Sequence, residues 1–161
     1  MKKYKWVLIS INVVIILSLV NYSLMQKEEL LLNGRLVLLE LAPVDPRSLM
    51  QGDYMSLRYA ITQFNHNDSL PKRGYCVVQI QPDSVAKRVR FQAEKLPAKD
   101  GEYLISYTST SWSIFIGAES YFFQEGQAAK YDSAKYGGLI IDREGHGLLV
   151  GLYDSKRRKI Q

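Results

Sequence analysis

Asn33-Gly34-Arg35-Leu36-Val37-Leu38-Leu39-Glu40-Leu41 is where the chain changes period. Before this stretch the residues read as one continuous helix; after it they alternate as strands do. The Asn-Gly pair suits a left-handed helix end. RLVLLEL, from 35 to 41, is apolar on both faces and predicts a strand covered on both sides.

Working back toward the N-terminus, Trp6 to Met25 (WVLISINVVIILSLVNYSLM) holds no charged side chain across 20 residues. At ~1.5 Å rise per residue that length crosses ~30 Å of hydrocarbon. A soluble core helix would show a polar face, and none repeats here. A cleaved signal peptide has a shorter apolar region and a small-x-small site, whereas Ser23-Leu24-Met25-Gln26-Lys27 has no alanine. The reading is an uncleaved anchor. Lys2, Lys3 and Lys5 precede it, while Glu28 and Glu29 outweigh Lys27 behind it, so the positive-inside rule puts the N-terminus in the cytoplasm. The expected organisation is a cytoplasmic tail at 1–5, a transmembrane signal anchor at 6–25, a helical extension at 26–34, an exported domain at 35–155 and a basic tail at 156–161.

Composition limits what that domain can do. Removing residues 1–25 leaves 136 of the 161, one domain of ordinary size. The net charge is +5, but with Lys2, Lys3 and Lys5 set apart 18 basic and 16 acidic residues remain. A net +2 is too balanced to predict nucleic-acid binding. A single cysteine, Cys76, excludes a disulfide framework and reads as a small core hydrophobe.

Working forward, strands are expected over Asp53–Ala60, Tyr75–Gln81, Arg88–Ala93, Tyr103–Thr108 and Ser111–Ile116. Leu139–Tyr153 reads as a hairpin closed by Arg143-Glu144-Gly145-His146. In Arg88–Ala93, Val89, Phe91 and Ala93 alternate with Arg88, Arg90 and Gln92, the pattern of a half-buried strand. One short helix is expected from Gln127 to Lys135. The fold class is mostly β, an antiparallel sandwich or small barrel with one short helix, behind an N-terminal transmembrane helix.

The most distinctive segment runs Pro43-Val44-Asp45-Pro46-Arg47-Ser48-Leu49-Met50-Gln51-Gly52-Asp53-Tyr54-Met55-Ser56-Leu57-Arg58-Tyr59. In a strand from Asp53, alternation puts Asp53, Met55, Leu57 and Tyr59 on one face and Tyr54, Ser56 and Arg58 on the other. Met55, Leu57 and Tyr59 read as core, and Gly52 fits a turn position of positive φ. Asp45, Arg47 and Asp53 either satisfy one another and the loop backbone or, with Tyr54 and Glu125, line a recognition groove.

GDYMSLRY resembles the GDYXXLXY family of bacterial membrane-anchored proteins at Gly52, Asp53, Tyr54, Leu57 and Tyr59. Asp45-Pro46-Arg47 and Tyr121-Phe122-Phe123-Gln124-Glu125-Gly126 are similar to that family as well. The resemblance implies an N-terminal anchor with one exported domain, no assigned activity, and a polytopic membrane protein as partner. The candidate binding residues are therefore Asp45, Arg47, Gly52, Asp53, Tyr54, Leu57, Tyr59, Glu125 and Gly126. Leu-x-x-Gly-Asp also resembles type I signal peptidases. Where that family has its nucleophilic serine, however, this chain has Val44. A hydrolase of envelope polymers or a ligand-binding domain using Asp45, Asp53 or Glu125 is the alternative. His66 and His146 have no ligand-like spacing and no phosphate loop is present, so no cofactor or metal is predicted. Lys156, Arg157, Arg158 and Lys159 read as a solvated end, or as a contact for anionic lipid.

Overall fold

The structure, a computed structural model, describes residues 2–42, 54–64, 70–124 and 126–160. The chain divides into two compact units, Met1–Asn33 and Gly34–Gln161.

The first unit is one helix, α1 (Lys2–Asn33). Its Trp6–Met25 stretch is uncharged on all sides, and α1 is the one described helix long and apolar enough to cross a membrane. The Asn33-Gly34 pair ends it without a left-handed residue: among the described residues Gly34 is not one of the glycines of positive φ.

The second unit is a mostly antiparallel β body. Its strands are β1 (Arg35–Glu40), β2 (Tyr54–Ser56), β3 (Arg73–Ile80), β4 (Ala86–Gln92), β5 (Glu102–Ser109), β6 (Ile114–Phe115), β7 (Ser120–Phe122), β8 (Tyr136–Ile141) and β9 (Gly147–Tyr153). They form a three-stranded sheet β1-β8-β9, a ribbon β2-β7 and a four-stranded sheet β4-β3-β5-β6; no sheet among the described residues closes into a barrel. One short helix, α2, spans Ala128–Tyr131. It is shorter than the expected Gln127–Lys135, and the Lys135 amide donates instead to the Tyr153 carbonyl of β9 at 2.8 Å.

The three sheets share one core. Val37, Leu39, Leu139, Ile141 and Leu152 meet Cys76, Val78, Ile105, Tyr107 and Ile114, with Met55, Leu57 and Tyr59 among them. Each such side chain removed from water is worth about 1.5–3 kcal/mol before entropic costs. That arrangement matches the sandwich alternative better than the barrel. Leu38 packs separately with Val85 and Tyr153 on the other face of β1, so β1 is covered on both sides. In ladder order, however, it is an edge: Leu38 makes a parallel bridge to Val85, and just past its end Leu41 bridges Tyr59.

Two further differences from the sequence reading have local causes. Val89 is 49% exposed instead of buried. A bulge causes this: Val77 pairs with Arg90 and Val78 with Arg88, leaving Val89 as the extra residue. Phe91 nevertheless reaches the core, edge-on to Tyr107 at 5.2 Å. The basic run, for its part, is not a free end. Lys159 bridges Tyr153, the Ile160 amide donates to Leu152 at 2.9 Å, and Ile160 packs on the core. Arg157 pairs with Asp83 at 3.1 Å and Arg158 with Asp154 at 2.8 Å.

Candidate functional site

The signature strand is stitched on both edges. β2 pairs antiparallel with β7, Tyr54 opposite Phe122 and Ser56 opposite Ser120. Beyond β2, the Leu57 amide donates to the Glu119 carbonyl at 2.7 Å, and the Ala42 amide donates to the Arg58 carbonyl at 2.8 Å. Leu41 bridges Tyr59. The alternation expected from the sequence holds here: Met55, Leu57 and Tyr59 are buried, Ser56 and Arg58 exposed.

Tyr59 is wholly enclosed. Its hydroxyl donates to the Ala118 carbonyl at 2.6 Å. A Cβ on Gly137 would lie 2.8 Å from the ring, so the ring occupies space that only glycine leaves open. Burial pushes the phenol pKa well above its usual value, and the nearby Glu119 charge pushes it further. A phenol held neutral and already donating is suited to holding structure.

Of the remaining candidates, Asp45, Arg47, Gly52, Asp53 and Glu125 lie outside the described residues, and Tyr54 is described only in its backbone pairing. Leu57 is in the core beside Tyr59. Gly126 takes a left-handed φ of +80° with nothing within 4 Å of where a Cβ would sit, at the turn before α2.

The outward side of the signature strand borders a groove of about 960 Å³. The groove is lined by the signature strand from Ser56 to Tyr59, by the Thr62–Phe64 segment and Arg88, by Trp112 to Phe115 from the β5–β6 turn and β6, and by Ala42 and Glu119. Arg88 donates to the Ile61 carbonyl at 2.7 Å and to the Gln63 carbonyl, and lies 4.8 Å over the Phe91 ring. It therefore anchors the 3-10 turn Ala60–Thr62 that follows the signature. The Glu119 carboxylate accepts the Ile116 amide at 2.5 Å. Arg58 makes no ion pair among the described residues. Trp112 stands at the turn tip, 78% exposed, where Thr110 Oγ1 accepts the Ser113 amide at 3.1 Å.

Two guanidiniums against one carboxylate, beside exposed rings, can hold a partner that carries negative charge on an otherwise mixed surface. Among the described residues no His, Cys, Asp and Glu side chains group as a metal site would require. The sequence reading missed Arg88, Trp112, Phe115 and Glu119. Only Trp112, a large ring between two serines in a turn, gave a local signal.

A model of the GDYXXLXY protein family matches residues 16–152. The chain belongs to the GDYXXLXY family. No curated protein and no solved structure matches it. In this GDYXXLXY protein Leu57 and Tyr59 of the signature are buried and Ser56 and Arg58 are exposed, and all four positions border the groove.

Proposed function

We propose that this chain is a non-catalytic accessory module of the bacterial cytoplasmic membrane. It is anchored once by α1, with its N-terminus in the cytoplasm and its β body outside. Its role is to bind a polytopic membrane protein, and the groove beside the signature strand receives a carboxylate-bearing segment of that partner. The observation that carries this reading is the placement of Arg58: exposed, bordering the groove, and in no ion pair among the described residues. Arg88 adds a second positive charge and Trp112 and Phe115 supply apolar contact. Asp45, Arg47, Asp53, Tyr54 and Glu125 belong to the same reading as further contacts. Anionic lipid held by the Lys156–Lys159 hairpin would be a lesser one, since Arg157 and Arg158 already have acidic partners.

A photoreactive residue at Ser56 in intact cells should crosslink to one multi-span membrane protein, identified by mass. The same probe at Lys87, exposed on β4, should not. Arg58→Glu should reduce the Ser56 crosslink at least tenfold, the effect of ~1.4 kcal/mol. Equal capture from both probes would overturn the groove assignment. Capture of glycan fragments would favour the hydrolase or ligand-binding alternative using Asp45, Asp53 or Glu125.

A further inference from the structure

α1 carries two asparagines inside its apolar run, and the structure treats them differently. Asn21 turns back on its own helix, donating through Nδ2 to the Leu17 carbonyl at 2.9 Å. Among the described residues Asn12 has no such bond. It lies about 5 Å along the axis from the middle of the Trp6–Met25 run, at 1.5 Å per residue. A carboxamide at that depth without a partner is costly, because hydrocarbon supplies neither donor nor acceptor.

Asn12 also sits in a pattern. Leu8, Asn12, Ile15 and Leu19 follow the 4-3-4 spacing of a left-handed helix pair and fall within about 60° of arc at 100° per residue. Asn21 lies on the far side, where its bond to Leu17 lets it face lipid. All four seam residues are exposed on the helix.

We propose that α1 pairs in the bilayer with α1 of a second copy, in the same orientation, along Leu8, Asn12, Ile15 and Leu19. A carboxamide is both donor and acceptor and so complements itself. Two copies in the same orientation place their Asn12 side chains at one depth, where each satisfies the other. A single polar residue in such a seam also fixes its register. Lys5 shares this side of the helix but precedes the apolar run, where water screens it. The inference rests on α1 spanning the membrane and is independent of the groove.

The test uses the full chain in native membranes, with single cysteines placed along α1 and the fully buried Cys76 left in place. The membranes are first washed with alkaline carbonate, then treated with a membrane-permeant oxidant. Leu8→Cys, Ile15→Cys and Leu19→Cys should give disulfide-linked dimers, and Ser10→Cys, Leu17→Cys and Leu24→Cys, on the opposite side, little. Adding Asn12→Leu to the Ile15→Cys chain should lower dimer yield roughly threefold to tenfold, while Asn21→Leu should leave it unchanged. Retention in the membrane with an even profile, or indifference to Asn12→Leu, overturns the seam alone. Crosslinking of the Ile15 position to another membrane protein in place of itself gives the seam to that protein and also overturns the proposal. Release by carbonate overturns the anchor and the seam together.

Discussion

Tyr59 and Tyr107 are both buried tyrosines in the same core, but their hydroxyls have opposite fates. The Tyr59 hydroxyl is bonded to Ala118. That of Tyr107 has no partner among the described residues. Burial pushes the Tyr107 phenol pKa up, with the neighbouring Cys76 thiol adding to it. Tyr59→Phe should therefore cost about 1–2 kcal/mol, because it strands a carbonyl, whereas Tyr107→Phe should be neutral or stabilising by up to about 1 kcal/mol. Denaturant unfolding of the two purified variants checks the difference in sign. Gly137→Ala would drive a methyl into the Tyr59 ring, and overpacking of that kind costs about 1–3 kcal/mol. A loss no larger than that of an exposed substitution would show that the ring moves aside freely.

At the scale of elements, the β4–β5 connection is fastened by one ion pair. Arg90 reaches both Glu102 oxygens, at 2.7 and 2.8 Å. The hydrogen bonds from Arg90 and from the Lys99 amide hold the Glu102 carboxyl down at about 2. A carboxyl depressed on folding contributes stability above its unfolded pKa, near 4.3, and loses it as pH falls toward the folded value. Melting temperature measured from pH 7 to 2.5 should therefore fall less steeply below pH 4.5 in Glu102→Gln than in the parent; parallel curves would remove the pair from the account of acid stability. The same elements show what was legible in the sequence. β3 and β5 stand out as strand-length stretches rich in apolar and aromatic residues, and the β8–β9 hairpin as two apolar runs on either side of Arg143-Glu144-Gly145-His146. β7 has three residues and makes a strand only because β2 lies beside it. Val89 is displaced by the register of β3, which local alternation in β4 does not encode. The inward set Met55, Leu57 and Tyr59 was legible because it alternates with Tyr54, Ser56 and Arg58. The groove was not, because Arg58, Arg88 and Trp112 come from segments that only tertiary folding brings together.

For the molecule as a whole, the core clusters begin at Val37 and include nothing from α1. A chain of residues 34–161 should thus fold by itself, with a melting temperature within about 4 °C of the full chain in the same detergent, a shift of ~1 kcal/mol at this size. A larger drop would mean that α1 stabilises the β body. The signature strand is fastened to β7 on one edge and to the end of β1 on the other, through the Leu57 and Ala42 amides. To meet solvent, the Leu57 amide needs the β2–β7 ribbon to open, and the Ala42 amide needs the signature to part from the end of β1. In heavy water, these two positions should trade their protons only as fast as the entire body opens, which makes the signature a clock for global unfolding.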